Sequence, residues 1–354
     1  MTTLESLLAQ YTREGELWET LDERRIRCHA CGHECPIFEG QPGVCKVRRN
    51  EGGRLMVPWG YVSGAHCDPI EKKPFYHVAP GSLAYSFGML GCDLHCSFCQ
   101  NWITSQALRD PEAVASAIRA TPEGLVRQAV SSGASFMVST YNEPLITVEW
   151  AVAVFQSARH AGLATGFVSN GNATRQVLDY LRPHIDLFKV DLKTFSDQNY
   201  RKLGGRLQPI LDSIQRIHDL GIWMEIVTLV VPGFNDSGEE LREIAGFVRS
   251  VSPDIPWHVT AFHQDYRMTD AADTPVRTLE RAASIGRDAG LRYVYAGNAP
   301  GSVGESENTF CPNCAKRLVR RWGYRIMENL ITAEGCCPAC QTPIAGRWRR
   351  PATA

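Results

Sequence analysis

The chain has 354 residues, 44% of them apolar, and a formal net charge of -1. That length supports one large domain with smaller modules beside it, and the balanced charge lacks the basic excess of a nucleic-acid-binding surface. No apolar run approaches the ~20 residues that cross a bilayer, so neither a nucleic acid nor a membrane is expected as a partner. Met1 to Gly15 reads as an amphipathic helix with interspersed acidic residues, unlike a basic segment followed by an apolar core, and no secretory signal is expected. Thirteen cysteines in such a chain point to metal ligation in a reducing cytoplasm rather than to disulfides.

The first module, residues 1–74, carries Cys28, Cys31, Cys35 and Cys45 in C-x2-C-x3-C-x9-C spacing. Four thiolates suit either zinc or a second iron–sulfur cluster, with a slight leaning to zinc; the interleaved His29 and His33 are ligands or ordinary loop histidines. Asp68-Pro-Ile-Glu-Lys-Lys-Pro74 reads as a substrate-side loop or a solvated turn. The stretch from Cys67 to Pro80 is the best candidate to gate the mouth of the domain that follows.

Residues 75–300 alternate strand and helix patterns. The predicted strands are Leu83–Leu90, Phe136–Thr140, Thr165–Ser169, Leu187–Asp191, Met224–Val231, Trp257–Phe262 and Arg292–Ala296, each short and apolar as buried parallel strands are. The predicted helices are Pro122–Ser131, Val148–Ala161, Thr174–Leu181, Gln208–Leu220, Gly238–Ser250 and Pro275–Ala289, several closed by a following glycine. A run of βα units gives an α/β domain with a parallel sheet, either doubly wound or curled into a barrel, and places ligands at the carboxyl ends of the strands.

Cys92, Cys96 and Cys99 follow the first strand in C-x3-C-x2-C spacing. Three thiolates hold three corners of a [4Fe-4S] cube and leave the fourth iron open to a small molecule. A zinc knuckle fits less well, because zinc sites favour paired C-x2-C halves and no second pair is near. The next strands end in Tyr141-Asn142-Glu143-Pro144, Ser169-Asn170-Gly171, Asp191-Leu192-Lys193, Val230-Val231-Pro232-Gly233-Phe234-Asn235 and Ala261-Phe262-His263. Any one of these is equally an ordinary polar loop or helix cap. Their order behind a cysteine loop is what makes them a candidate site.

In residues 301–354, Cys311-Pro-Asn-Cys314 and Cys337-Pro-Ala-Cys340 are two knuckles at the spacing of a four-thiolate zinc ribbon, a module that needs its Zn2+ to fold. Cys336 is either a spare thiol or, by a slip of register, the true ligand.

The cysteine loop, with Phe98 just before its last cysteine, resembles the signature of the radical S-adenosylmethionine (SAM) superfamily. That resemblance implies a partial (β/α)6 barrel, a [4Fe-4S] cluster on Cys92, Cys96 and Cys99, and SAM as cosubstrate. It implies that Glu143 receives the SAM amino group, although Tyr141-Asn142 stands where the superfamily has two glycines. It gives the Ser169-Asn170 turn to the SAM ribose or carboxylate, and Phe98 and Trp102 to shielding. Asp191-Leu192-Lys193 and the valine-proline-glycine turn are similar to elements of the pyruvate formate-lyase activating enzymes, in which the aspartate organises the SAM site and a histidine matching His263 lies near the adenosyl group. The N-terminal cysteines, Asp68–Pro74, Tyr76-His77, Pro80-Gly81, the Tyr141–Pro144 turn and the closing knuckles together look like the radical SAM protein of the AmmeMemoRadiSam system. That likeness implies Memo-family and AMMECR-family partners besides an electron donor of the flavodoxin or ferredoxin type.

Three readings of function follow. The first is a radical SAM enzyme that takes hydrogen from a small molecule or a protein side chain. The second is an activase that generates a glycyl radical on a partner, and the third is a non-catalytic assembly protein whose cysteines all hold zinc.

Overall fold

Apolar segments with both faces to cover become parallel strands of one open sheet in the computed structural model, which describes residue 4 and residues 8–351. The strands are β1 (Gly64–Pro69), β2 (Leu83–Gly88), β3 (Phe136–Ser139), β4 (Ala164–Ser169), β5 (Leu187–Asp191), β6 (Trp223–Val230), β7 (Trp257–Ala261) and β8 (Val294–Gly297). They lie side by side in chain order; β2 to β8 run parallel, and β1 pairs antiparallel with β2 at the edge, Gly64 opposite Gly88. Every residue of β3 and β7 is buried, which is why their sequences carry no polar alternation. The result is a mostly parallel α/β sheet with seven parallel strands, each of which overlaps a segment expected from the sequence.

The crossovers are α1 (Pro122–Ser131), α2 (Val148–His160), α3 (Arg175–Leu181), α4 (Leu207–Asp219), α5 (Gly238–Val251) and α6 (Val276–Asp288). Side-chain caps begin three of them: Thr121, Thr174 and Ser237 accept from the amides of Gly124, Val177 and Glu240. Between helices and sheet, Phe87, Phe155, Phe167 and Phe188 form a chain of ring contacts at 5.6–6.3 Å. All four are fully buried, each worth about 1.5–3 kcal/mol.

Before the sheet come two small three-stranded sheets, Trp18–Asp22 with Arg25–Cys28 and Pro36–Phe38, and Thr12–Glu14 with Arg54–Pro58 and Arg49–Glu51. The helix expected over Met1–Gly15 lies partly outside the described residues, and within them Thr12–Glu14 is a strand paired with Arg54–Pro58. This module is fastened to α2 by a two-pronged ion pair, Arg48 Nη1 and Nη2 donating to Glu149 at 2.7 Å each, with both side chains buried.

Residues 64–74, expected to close the first module, instead join the central sheet as β1 and a 3-10 turn over Ile70–Lys72. Nor is Asp68–Pro74 a solvated turn: Ile70, Glu71 and Lys73 are buried. Asp68 is paired with the Lys72 and Lys73 ammoniums, and Glu71 accepts from the Gly81 amide through one oxygen while burial raises its pKa and favours the neutral form, so a charged sequence packs as a wall.

The C-terminal module holds the strands Thr309–Phe310, Arg317–Trp322 and Arg325–Asn329. It is bonded to the amino-terminal half of the sheet through a buried network. Glu225 of β6 accepts from the amides of Tyr76 and His77 and meets His258 of β7 at 2.7 Å; Tyr295 of β8 meets Thr309, and Arg321 donates to Thr309 and to the Tyr76 carbonyl. This docking brings the hairpin turn at Gly323-Tyr324 to the rim of the central cavity.

Candidate functional site

The carboxyl ends of β2 to β8 surround a cavity of about 380 Å³, within the range of small-molecule sites. Cys92, Cys96, Cys99, Asn142, Glu143, Ser169, Asn170, Asp191 and Lys193 all line it. Of the residues expected at the cosubstrate site, His263 alone does not. It is exposed on the loop after β7, its Nε2 2.9 Å from the Gln100 side-chain nitrogen.

The three cysteines sit on a loop packed into an apolar nest of Leu94, Phe98, Leu203, Val231 and Phe262. Phe98 meets Phe234 edge to face at 5.4 Å and lines the cavity, whereas Trp102 stacks on Tyr266 outside it. Burial pushes all three thiols up, Cys96 to about 12, so they keep their protons until a metal displaces them. Three soft donors converging on one cavity, with no fourth cysteine lining it, fit an iron–sulfur cluster with one open iron.

The turn after β3 is built by two close approaches. A Cβ on Gly88 would lie 2.4 Å from the Thr140 carbonyl, so the ends of β2 and β3 touch here. Asn142 then pins the turn, its Oδ1 accepting from the Met89 amide at 2.8 Å and its Nδ2 donating to the Glu143 carbonyl. Tyr141 takes a φ of 72°, the conformation a glycine adopts without strain, and its ring lies 5.0 Å from the Lys73 ammonium.

Glu143 is buried with its carboxylate held by the chain itself. Oε1 accepts from the Leu145 amide and the Ser169 hydroxyl, and Oε2 accepts from the Asn170 amide at 2.7 Å. Burial first and the Asp93 charge second raise its pKa to about 8, against the pull of those donors. Asp191 is shared by two ammoniums, Lys189 and, at 3.4 Å, Lys193. Burial alone would raise its pKa, but the two lysines outweigh it and hold the carboxyl below its ordinary range. The Lys193 ammonium also faces the charge of Cys96 and Cys99.

Three participants escaped the sequence reading. Lys189 hides inside the apolar strand Leu187–Asp191. Asp93 is fully buried behind the cysteine loop, accepting from Asn170 and Asn172 at 2.7 Å each, and its only signal was a carboxylate directly after Cys92. The rim residue Tyr324 arrives from the C-terminal module, whereas Lys72 and Lys73 belong to the Cys67–Pro80 stretch expected at the mouth. The turn Val231–Asn235 is structural: Asn235 accepts from the Val231 amide and donates to the Lys193 and Leu229 carbonyls, fixing the ends of β5 and β6 together.

A separate group forms in the C-terminal module. The sulfurs of Cys311, Cys314, Cys337 and Cys340 lie within 4.8 Å of one another, a set able to hold a metal ion. Cys337 belongs to it and Cys336 does not, which resolves the register. Among the described residues no other group of three or more cysteine, histidine or acidic side chains gathers so closely, and Cys28, Cys31, Cys35 and Cys45 therefore stand farther apart than a single ion would draw them.

The chain matches the Radical SAM superfamily over residues 88–248. It is 36% identical over 331 residues to an uncharacterized protein of Methanocaldococcus jannaschii, covering 93% of this chain and 97% of that protein. It is 26% identical over 195 residues to the pyruvate formate-lyase-activating enzyme of Staphylococcus epidermidis, covering 52% of this chain and 76% of the enzyme. Among solved structures, a radical SAM methyltransferase from Sphaerobacter thermophilus aligns with a TM-score of 0.49 at 15% identity over 84% of this chain and 80% of that one.

Proposed function

Because the chain belongs to the radical SAM superfamily and is related to the pyruvate formate-lyase activating enzymes, we propose that it cleaves SAM reductively and abstracts hydrogen from a small-molecule or protein substrate. The observation that carries this reading is the convergence of Cys92, Cys96 and Cys99 on one cavity with Glu143, Ser169, Asn170, Asp191 and Lys193. When bound, a [4Fe-4S] cluster and SAM supply one-electron cleavage of the sulfonium and the 5′-deoxyadenosyl radical that takes the hydrogen atom.

The chain's own groups have separable tasks. Lys193 offsets charge that the cysteine thiolates bring. Ser169 and the Asn170 amide orient Glu143 so that its remaining lone pair faces the cavity, where it accepts from the SAM ammonium. Phe98 and the apolar nest around it keep water from the cysteines. His263 lies outside the cavity and contacts Gln100, which lines it.

The glycyl-radical activase is the second reading, and the relationship to activating enzymes favours it. Superfamily membership sets aside the assembly protein. For partners we propose an electron donor of the flavodoxin or ferredoxin type and Memo-family and AMMECR-family proteins, on the resemblance of the terminal cysteine modules and the Asp68–Pro74 segment to the AmmeMemoRadiSam system. Zinc is the ion proposed for the C-terminal site. Sulfurs 3.5 and 3.7 Å apart match a tetrahedral ion with bonds of about 2.3 Å. Thirteen free thiols suit a reducing compartment such as the cytoplasm.

The test is anaerobic reconstitution followed by incubation with SAM and a reductant. The expected result is broad visible charge-transfer absorption and slow formation of 5′-deoxyadenosine, with the absorption diminished and the 5′-deoxyadenosine lost in Cys96→Ala. Full turnover in that variant would remove the assignment. A glycine-centred doublet in the electron paramagnetic resonance spectrum, appearing only with a partner protein, would select the activase reading.

A further inference from the structure

The N-terminal cysteines form a second thiol group beside the first. Cys28, Cys31 and Cys45 are buried and Cys35 is half-buried; Cys28 and Cys35 pack with Ile26, Ile37, Leu55 and Val57, and Cys45 packs with Val47 and Ile146. They share one locality: Cys31 lies within range of the charge of Cys28 and Cys45, and Cys35 within that of Cys28. No three of them come within 4.8 Å of one another, in contrast to the C-terminal four, whose sulfurs are 3.5 and 3.7 Å apart. A single tetrahedral ion pulls its thiolates to about 3.8 Å. A four-iron cube inserts its own width between them, and Cys92, Cys96 and Cys99 likewise do not gather within 4.8 Å of one another.

The two wide groups touch. Asp93, the residue after Cys92, acts on the thiols of both Cys31 and Cys92. His33 Nε2 is 3.1 Å from the Asp93 carbonyl, which places that histidine on the cysteine loop and away from the ligand set. On the other side the Arg109 guanidinium donates to the Val44 and Leu94 carbonyls at 2.6 and 3.2 Å, and a Cβ on Gly91 would lie 3.1 Å from the Cys45 carbonyl. The His33 and Arg109 side chains and the close approach of Gly91 to Cys45 therefore hold the two loops together at several points.

We propose that Cys28, Cys31, Cys35 and Cys45 hold a second iron–sulfur cluster, which relays single electrons to the cluster at Cys92, Cys96 and Cys99. Four cysteines occupy every iron of a cube, as suits electron transfer, whereas three leave one iron for a ligand. Half-buried Cys35 marks the side open to a donor, and Cys31 the side facing the core site. The step is one electron with no proton. A donor of the ferredoxin or flavodoxin class is oxidised by one electron, the N-terminal cluster is reduced and reoxidised, and the core cluster gains the electron spent on one SAM. The relay rests on the function proposed above; occupancy of the N-terminal site does not.

The experiment is iron, sulfide and zinc analysis of the anaerobically reconstituted full chain, with Mössbauer spectra. The expected content is about eight irons per chain, falling to about four in Cys31→Ala and also in Cys92→Ala. Cys35→Ser provides a gentler second variant, and retention of the C-terminal zinc reports that each variant is folded. In either N-terminal variant the ratio of ferredoxin-driven to dithionite-driven SAM cleavage should fall more than tenfold. About four irons plus a second zinc in the unaltered chain would overturn the cluster, and an unchanged ratio would overturn the relay. Eight irons without any SAM cleavage would instead count against the proposed function and leave the second cluster standing.

Discussion

Glu143 allows a worked test, because its lone pairs can be counted. An ionised carboxylate has about four acceptor positions. Leu145 and Ser169 occupy both on Oε1 and Asn170 occupies one on Oε2, leaving a single position on Oε2 for which a proton and a ligand ammonium compete. With the pKa raised to about 8 by burial and Asp93, roughly one-tenth of the protein has that position free at pH 7 and about nine-tenths at pH 9. SAM affinity should therefore rise about tenfold across this interval, about 1.4 kcal/mol. The amino group of SAM titrates nearby, so the quantity to plot is the ratio of affinities of the unaltered protein and Glu143→Gln, measured by calorimetry from pH 6 to 9. A ratio that stays flat would refute the competition. The same shift has a sign for folding. A carboxyl raised in the folded state favours folding most at pH below its unfolded value of 4.5, so the ligand-free protein loses that contribution progressively as pH rises to about 8, and Glu143→Gln does not.

Other outcomes follow from single contacts. Arg48→Met leaves the Glu149 carboxylate buried without its partner, and the urea midpoint should fall by an amount equivalent to about 3–5 kcal/mol. Cys337→Ala should lose the C-terminal metal, while Cys336→Ala, whose sulfur lies outside the group, should keep it by metal analysis. Gly88→Ala forces a methyl against the Thr140 carbonyl and should cost about 1–3 kcal/mol in thermal or chemical unfolding, together with weaker SAM binding as the Glu143 turn is displaced.

The parallel strands were legible because burial on both faces leaves short apolar runs bounded by glycine and polar turns. What stayed hidden has a common physical cause, the pairing of charged side chains with one another or with the backbone in the folded chain. Asp68–Pro74 looks solvated because four of its seven residues are charged, yet the ammoniums of Lys72 and Lys73 close on Asp68 and the Gly81 amide on Glu71. Lys189 and Glu225 sit within apolar strands; Lys189 meets Asp191 two residues along its own strand, and Glu225 meets His258 only once β6 and β7 are aligned. The N-terminal cysteines show the same limit, since spacing alone could not say whether their thiols gather to the radius of one ion. Tyr324 joins the cavity only because the C-terminal module docks through Arg321 and Tyr295.

Charge around the cavity divides by depth. Deep in the site, Lys189 and Lys193 share Asp191, and at the rim Lys72 and Lys73 share Asp68, so four ammoniums face two carboxylates. Burial and the Asp93 charge raise the Glu143 pKa and so favour its neutral form. The deep surplus sits beside Cys96 and Cys99 and is consumed when those thiols ionise on metal binding. The rim surplus has no such counterpart. It borders Tyr141 and the Tyr324 ring, in a mouth whose low-dielectric walls strengthen any field. A carboxylate or phosphate carried toward Lys72 and Lys73 would meet a positive field there.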